Sequence, residues 1–286
     1  MKICLTGGTG FLGSRITQFF KGNNFEVVNI SRNDFKGSTE TIVKKIEGAD
    51  MLINLAGAPV LKKWTSTYKK TIRDSRIETT KKLVDAIKQV QKKPSIVLSS
   101  SAVGIYDDIY EHDEFSDRLG DDFLANVCKE WEASLAPLAA LDIKLAVMRI
   151  GVVLDHTQGA FAKMLPSFKM GVGAMVGDGM QSFPCIHIND FLSAIWYILK
   201  NPNSTGVYNL VAPDLVSNQY FSKMLGKKLH RPVIFKANKF LMKLMFGDGA
   251  NVLLKGQKVK PQRLLDLDFY FQFPTVDSII DDLLKS

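Results

Sequence analysis

ICLTGGTGFLGSRI, residues 3–16, runs from an apolar β-type stretch through a glycine-rich turn into the start of a helical pattern. Gly7, Gly10 and Gly13 stand in the spacing G-x-x-G-x-x-G. A strand that ends in such a turn and reopens as a helix presents free N–H groups and a positive dipole end where a pyrophosphate can sit. Glycine is needed because a side chain would block both the tight turn and the approach of backbone to phosphate. The strand before and the helix after meet the context this motif requires, although glycine turns also occur for purely structural reasons. The expectation is that Gly7, Gly10, Phe11, Leu12 and Gly13 form the floor of a dinucleotide site.

Outward from this turn, short β-branched runs alternate with helical patterns, which predicts a parallel sheet with crossover helices. The expected strands are 3–5, 26–30, 51–55, 96–99 and 144–150, and the expected helices are 11–21, 68–91 and 123–140. Residues 156–186, rich in Gly, Met and Phe, read as a mobile, loop-rich segment. A helix over 190–200 and a strand over 207–210 return to the sheet, and two or three amphipathic helices follow from Asn218. The expected fold class is α/β, a doubly wound parallel sheet with a small, mainly helical C-terminal domain. Residues 1–155 with 187–216 are expected to hold the cofactor, and 156–186 with 217–286 to face the substrate.

The end of the second strand bears on which dinucleotide is bound. A carboxylate there holds a ribose 2′-hydroxyl, whereas an arginine accommodates a 2′-phosphate. Here the strand ends Asn29-Ile30-Ser31-Arg32, with no acid before Asp34. Ser31 and Arg32 therefore favour NADP(H) over NAD(H), a solvated loop arginine being the alternative. Leu55, Ala56 and Gly57 close the third strand with small residues, which suits the adenosine side of a dinucleotide or an ordinary turn equally.

Length, 286 residues, and 46% hydrophobic content fit a folded chain with a sizeable core and exclude collagen-like or disordered architectures. Cys4, Cys128 and Cys185 form no metal-binding or disulfide pattern and read as reduced, buried thiols, so no metal is expected. The opening MKICLTGG reaches its glycine turn too early for a signal-peptide core, and no apolar stretch approaches the length a bilayer needs. A cytoplasmic protein without membrane partners is expected. The net charge of +8 raises the question of nucleic acid. Eleven cations against one acid fall within residues 222–263, without stacking aromatics or a reading motif. The charge points instead to an anionic small molecule or a solvated helical surface, with no nucleic acid as partner.

With these motifs in place, the chain resembles the short-chain dehydrogenase/reductase superfamily, in its extended, epimerase-like branch. The likeness lies in T-G-G-T-G-F-L-G at 6–13, N-L-A-G at 54–57, S-S-S-A-V-G-I-Y at 99–106, R-I-G-V-V-L at 149–154 and I-H-I-N-D at 186–190. It is closer to the atypical subgroup of epimerase family proteins, through W-T at 64–65, D-S-R-I at 74–77, G-D-D-F-L-A at 120–125, W-E at 131–132 and L-L-K-G-Q-K-V-K-P at 253–261. The resemblance implies a Rossmann-like fold over the whole chain. It also implies a Ser, Tyr, Lys triad, yet none of the seven tyrosines has a lysine four residues on. Aligned on Trp131-Glu132, Leu124 and Cys128 stand at the Tyr and Lys positions, a departure the atypical subgroup shares. The segment 179–185, where the subgroup carries an Arg and a Trp, reads GMQSFPC, which weakens any transfer of substrate specificity.

The superfamily's serine position corresponds to Ser101, and Tyr106 lies just beyond the fourth strand. Ser101 is expected to hydrogen-bond a substrate, or only to cap the strand end, and Tyr106 to donate a proton. Asp121 and Asp122 are expected to cap the helix that follows. Arg76 can reach the cofactor phosphates or form a surface salt bridge. Val153 falls where the superfamily packs backbone against the nicotinamide. Asp190 reads as a helix N-cap, and His187 as a structural or substrate-facing hydrogen-bonder. Two functions are consistent with this set. One is an NADP(H)-dependent oxidoreductase or epimerase-like enzyme with unusual proton transfer. The other is a non-catalytic NADP(H)-binding sensor.

Overall fold

The computed structural model describes residues 1–201 and 203–285. Its main sheet comprises β1 (Lys2–Thr6), β2 (Glu26–Ile30), β3 (Met51–Asn54), β4 (Ile96–Ala102), β6 (Lys144–Ile150) and β10 (Gly206–Leu210). All pairings are parallel and the order is β10-β6-β4-β3-β1-β2. Between them run α1 (Phe11–Gly22), α2 (Thr39–Ile46), α3 (Ser66–Gln89), α4 (Phe123–Ala133) and α6 (Ile188–Lys200). The small strand β5 (Glu111–His112) pairs far along the chain with β12 (Lys258–Val259).

Side-chain alternation explains why this sheet is buried on both faces. Ile3 and Leu5, Met51 and Ile53, and Ile96 and Leu98 face a core completed by α1 and α6. Their neighbours Cys4, Leu52 and Val97 face the other way, onto α2 and α3. The expected helix over 123–140 stops at Ala133 and resumes as a 3-10 turn over Ala136–Ala140. Pro137 stands in the first turn of that second piece, and it has no N–H with which to continue the α-helical ladder.

The expected loop-rich segment contains α5 (Gly159–Lys169), β7 (Val152–Leu154) just before it, β8 (Ala174–Val176) and β9 (Cys185–His187). β7 pairs with β9, and β8 pairs with β11 (Phe235–Ala237). From Asn218 onward there are, among the described residues, five α-helices rather than two or three: α7 (Asn218–Lys228), α8 (Lys239–Phe246), α9 (Asn251–Leu254), α10 (Gln262–Asp266) and α11 (Val276–Lys285). α5, α7 and α11 share a second core through Phe161, Leu165, Phe221, Leu225, Ile279 and Ile280. Leu264, Phe269 and Phe271 return to the core beneath the main sheet, so the chain crosses between the two parts more than once.

Strand order reverses between β1 and β3: the chain leaves β1 for β2 on one side and comes back to β3 on the other. In an open α/β sheet such a reversal leaves a crevice outside the carboxyl ends of the strands. The turns that follow β1 and β3 meet there. A Cβ on Gly7 would lie 2.8 Å from the Leu55 carbonyl oxygen.

Candidate functional site

A cavity of about 1070 Å³ opens at this crevice. That is the upper end of ordinary ligand pockets, with room for a dinucleotide and a further small molecule. Its floor is the glycine turn. Gly7 has φ +73°, and a Cβ on Gly13 would lie 2.2 Å from the Gly7 carbonyl oxygen. Gly10 caps α1 without a side-chain hydrogen bond, and the first turn of that helix holds no acid. The helix terminus therefore meets the cavity with its N–H groups and dipole uncovered, a cradle that fits a pyrophosphate.

Buried polar groups hold the adjoining strand ends in place. Thr6 Oγ1 donates to Asn54 Oδ1 at 2.7 Å and accepts from the N–H groups of Leu55 and Ala56. Asn54 Nδ2 donates to Thr80 Oγ1, which also accepts from Trp131 Nε1 at 3.0 Å. This links β1, β3, α3 and α4 under the cavity; Asn54 was expected only as part of the turn that closes the third strand, and Thr6 and Thr80 were not expected to join it in a buried network.

Of the residues expected around a cofactor, Gly7, Gly10, Phe11, Leu12, Gly13, Leu55, Gly57 and Arg76 line this one cavity. Ala56 does not; its backbone N–H is taken by Thr6. Ser31 and Arg32 lie exposed at the end of β2. That strand end abuts the glycine turn, since a Cβ on Gly8 would lie 1.9 Å from Asn29 Oδ1. Asp34, the nearby acid, accepts from Ser31 and is paired with Lys45 at 2.7 Å. Burial alone would raise its pKa, but the bonds from Lys45 and Ser31 outweigh that and hold it below the usual carboxylate value. The Val153 side chain points into the main core, and its neighbour Val152 lines the cavity, as strand alternation requires.

Arg76 reaches the cavity wall beside Gly57. Its guanidinium donates to the carbonyls of Ile72 and Ala58 at 3.0 and 3.1 Å and stacks over the Trp131 ring. Among the described residues it has no carboxylate partner, so it is not the surface salt bridge that was the alternative. Burial shifts its pKa downward, which marks a cation short of compensation.

Ser101 also lines the cavity. Its hydroxyl donates to Glu132 Oε1 at 2.6 Å, and Glu132 is held by Arg149 through two bonds of 2.9 and 2.8 Å. Burial would lower the Arg149 pKa, but Glu132 outweighs it and holds the guanidinium above its ordinary value. Glu132 and Arg149 belong to the W-E motif at 131–132 and the R-I-G-V-V-L motif at 149–154. No sequence signal separated their part from that of their neighbours. Leu124 and Cys128 line the cavity as well, and burial pushes the Cys128 thiol up to about 11, so it is a neutral group.

Side-chain direction corrects the expectations for Tyr106, Asp190 and Asp121, and leaves His187 with its structural alternative. Tyr106 is 1% exposed and lies outside the cavity lining, its hydroxyl accepting from Arg149 Nη1 and donating to Asn209 Oδ1. Burial raises its pKa, the opposite of what a tuned proton donor needs, and it is a structural group. His187 turns away from the cavity toward Asp282 of α11, 3.2 Å distant. Its Nδ1 accepts from Asn189 N, so His187 and not Asp190 caps α6. Asp190 instead accepts from the N–H groups of Gln272 and Phe273 at 2.8 and 2.9 Å, pinning the return of the chain to the sheet. Asp122 caps α4 by accepting from Ala125 N; the Asp121 backbone carbonyl accepts from Asn126, and its side chain makes no cap. Among the described residues no group of three His, Cys, Asp or Glu could hold a metal, and no helix is long and apolar enough to cross a membrane.

Comparison with known proteins adds further likenesses. Residues 3–119 match the NAD dependent epimerase/dehydratase family, and residues 238–283 match a domain of unknown function. The "Epimerase family protein SDR39U1 homolog, chloroplastic" of Arabidopsis thaliana is 36% identical over 100% of this chain and 87% of its own. The epimerase family protein SDR39U1 of Mus musculus is 34% identical over 99% and 100%. Among solved structures, human epimerase family protein SDR39U1 (isoform 2), crystallised with NADPH, superposes with a TM-score of 0.91 at 31% identity, over all of both chains.

Proposed function

This chain belongs to the NAD dependent epimerase/dehydratase family, among its epimerase family proteins, and we propose that it is an NADP(H)-binding, epimerase/dehydratase-like oxidoreductase acting on a small molecule. The observation that carries the reading is the glycine cradle at the strand-order reversal, faced by the uncompensated guanidinium of Arg76. The helix N-terminus and Arg76 would hold the pyrophosphate, and Leu55 to Gly57 the adenosine side. Residues 1–155 with 187–216 would form the cofactor half, and 156–186 with most of 217–286 the substrate half.

The preference for the phosphorylated cofactor rests on Arg32, because Asp34 is occupied by Lys45 and by the Ser31 hydroxyl, whose one hydrogen it takes. The human relative's NADPH is in keeping with it. A bound nicotinamide supplies the hydride chemistry. The chain's own part is to seat the cofactor, to exclude water with the apolar wall around Leu124, and to hold the substrate's oxygen at Ser101. Calorimetry with NADPH, NADP⁺, NADH and NAD⁺ tests the preference. NADPH should bind at least about tenfold tighter than NADH, and Arg32→Asp should erase that ratio. Equal affinities in the unaltered protein would remove the role given to Arg32.

A second reading, a non-catalytic sensor of NADP(H), is favoured by one observation. The positions of the family's Tyr and Lys carry Leu124 and Cys128, neither of which exchanges protons near neutrality. Loss of NADPH absorbance on addition of a carbonyl compound or nucleotide sugar supports the enzyme. Tight cofactor binding with no turnover across such a screen supports the sensor.

A further inference from the structure

The part of the cavity beyond the cofactor cradle has a chemistry of its own. The loop after β3 and helix α4 contribute Trp64, Phe123, Leu124 and Val127. Met164 of α5, Phe183, and Val252 and Leu253 of α9 line it too, beside the polar Ser182, Asn251 and Gln257. Gln181 and Asn218 also line it, but they are tied to the scaffold: Gln181 Nε2 donates to the Val176 and Leu253 carbonyls, and Asn218 Oδ1 accepts from Val176 N.

The charges around this space cancel. Lys69 is paired with Asp248 at 2.6 Å. Lys255 lies 3.5 Å from Asp122 and 3.8 Å from Asp108. Of the five charged residues that line the cavity, only Arg76 has no carboxylate partner among the described residues, and it stands against Gly57 at the cofactor end. Of the eleven cations between 222 and 263, Lys255 alone lines the cavity. A ligand carrying a diphosphate would therefore meet two lysines already neutralised and the two carboxylates Asp122 and Asp248, in a largely apolar setting where an uncompensated charge is costly.

The hydroxyl at the superfamily's serine position, Ser101, is oriented. The only hydrogen of the Ser101 hydroxyl goes to Glu132, a carboxylate that can only accept and that Arg149 holds from the other side. What Ser101 offers a ligand is lone pairs, so it selects a group that donates.

We propose that this chamber takes an uncharged molecule with an apolar ring or chain and a hydroxyl group that donates to Ser101, and that it does not take a nucleotide sugar. The proposal rests on the cofactor reading above and names the substrate class of the same site.

The test uses the full chain loaded with NADP⁺ and four probes: menthol, its ketone menthone, cyclohexylacetate and UDP-glucose, each titrated by calorimetry. Menthol binds saturably. Menthone, which cannot donate, binds about tenfold more weakly, and the two anionic probes bind more weakly still. Ser101→Ala brings the menthol-to-menthone ratio close to one. Leu124→Asp weakens menthol at least about tenfold, and Val252→Asp on α9 does the same if the first variant fails to fold. Tighter binding of UDP-glucose or cyclohexylacetate than of menthol overturns the proposal. So does no binding of menthol, or a ratio that survives in Ser101→Ala. NADP⁺ affinity is measured on the same samples. If NADP⁺ itself does not bind, the cofactor reading fails; if it binds and menthol does not, only the substrate class fails.

Discussion

Gly13 is the residue on which the cofactor end of the site depends most directly. Its Cβ would meet the Gly7 carbonyl at 2.2 Å and the Gly8 Cα at 2.7 Å, both backbone atoms that cannot turn aside. Gly13→Ala must therefore push the glycine turn out of shape. We expect at least about a hundredfold loss of NADPH affinity by calorimetry, since the turn is what brings backbone to the phosphates. Unchanged affinity would show that the turn does not hold the cofactor. Glycines of this kind were legible in the sequence because their requirement is local: turn geometry and near neighbours alone impose it. Tyr106 and His187 were not. Both stand in the right order along the chain, but Arg149 and Asn209 draw the Tyr106 hydroxyl inward, and α11 draws His187. Which way a side chain turns depends on partners distant in sequence.

Among the elements, α1 is tied to the loop after β7 by Arg15, whose guanidinium forks onto Asp155 at 2.7 and 2.8 Å. Asp155 is 1% exposed and Arg15 25%. Burial alone would raise the Asp155 pKa, but Arg15 and Thr157 outweigh it and hold it below the ordinary value. A carboxylate whose folded pKa is depressed stabilises the fold above its unfolded pKa, and that stability is lost as pH falls through the folded value. Asp155→Asn should cost about 2 kcal/mol near neutrality, less than a fully buried pair because Arg15 keeps some solvent. The Tm gap between the unaltered chain and the variant should hold from neutrality down to about 4, the unfolded carboxylate value, and narrow only as pH falls below it. A gap that stays constant with pH would assign the stabilisation to packing. The strands of the main sheet were legible because alternating apolar residues must face two cores. The helix break before Pro137 and the strands β8, β9 and β11 were harder to see. Three-residue strands carry almost no period of their own, and they exist only because a partner strand completes them.

At the scale of the whole molecule, two ion pairs of opposite sense cross the cavity mouth: Lys69 of α3 to Asp248, and Lys255 to Asp122 at the start of α4. All four side chains are a third or more exposed, so each pair is worth only about 0–1 kcal/mol. Replacing both lysines by alanine should lower Tm by less than about 4 °C. The same double variant should speed hydrogen exchange over residues 246–256, because those pairs help hold that segment to the cofactor half. Unchanged exchange would mean that the β5–β12 pairing and the contact of Trp64 N with the Phe246 carbonyl hold it alone. The basic surplus of the C-terminal part, which suggested an anionic ligand, is here mostly an outer surface. Helix α8 turns Lys239 and Lys243 to solvent, with Phe240, Leu241, Leu244 and Met245 exposed beside them.

Sequence alone determined the parallel α/β architecture, the glycine cradle and its position at the edge of the sheet. Each follows from local sterics and from a two-residue period that reads the same in any context. Only the tertiary structure decided that Ser101 offers lone pairs, that Arg76 lacks a carboxylate partner among the described residues and that ten of eleven C-terminal cations stay out of the cavity. Those facts depend on hydrogen bonds and ion pairs between residues far apart in the chain, such as Ser101 with Glu132 and Lys69 with Asp248. Charge and hydroxyl counts in the sequence are the same whether such partners meet or not.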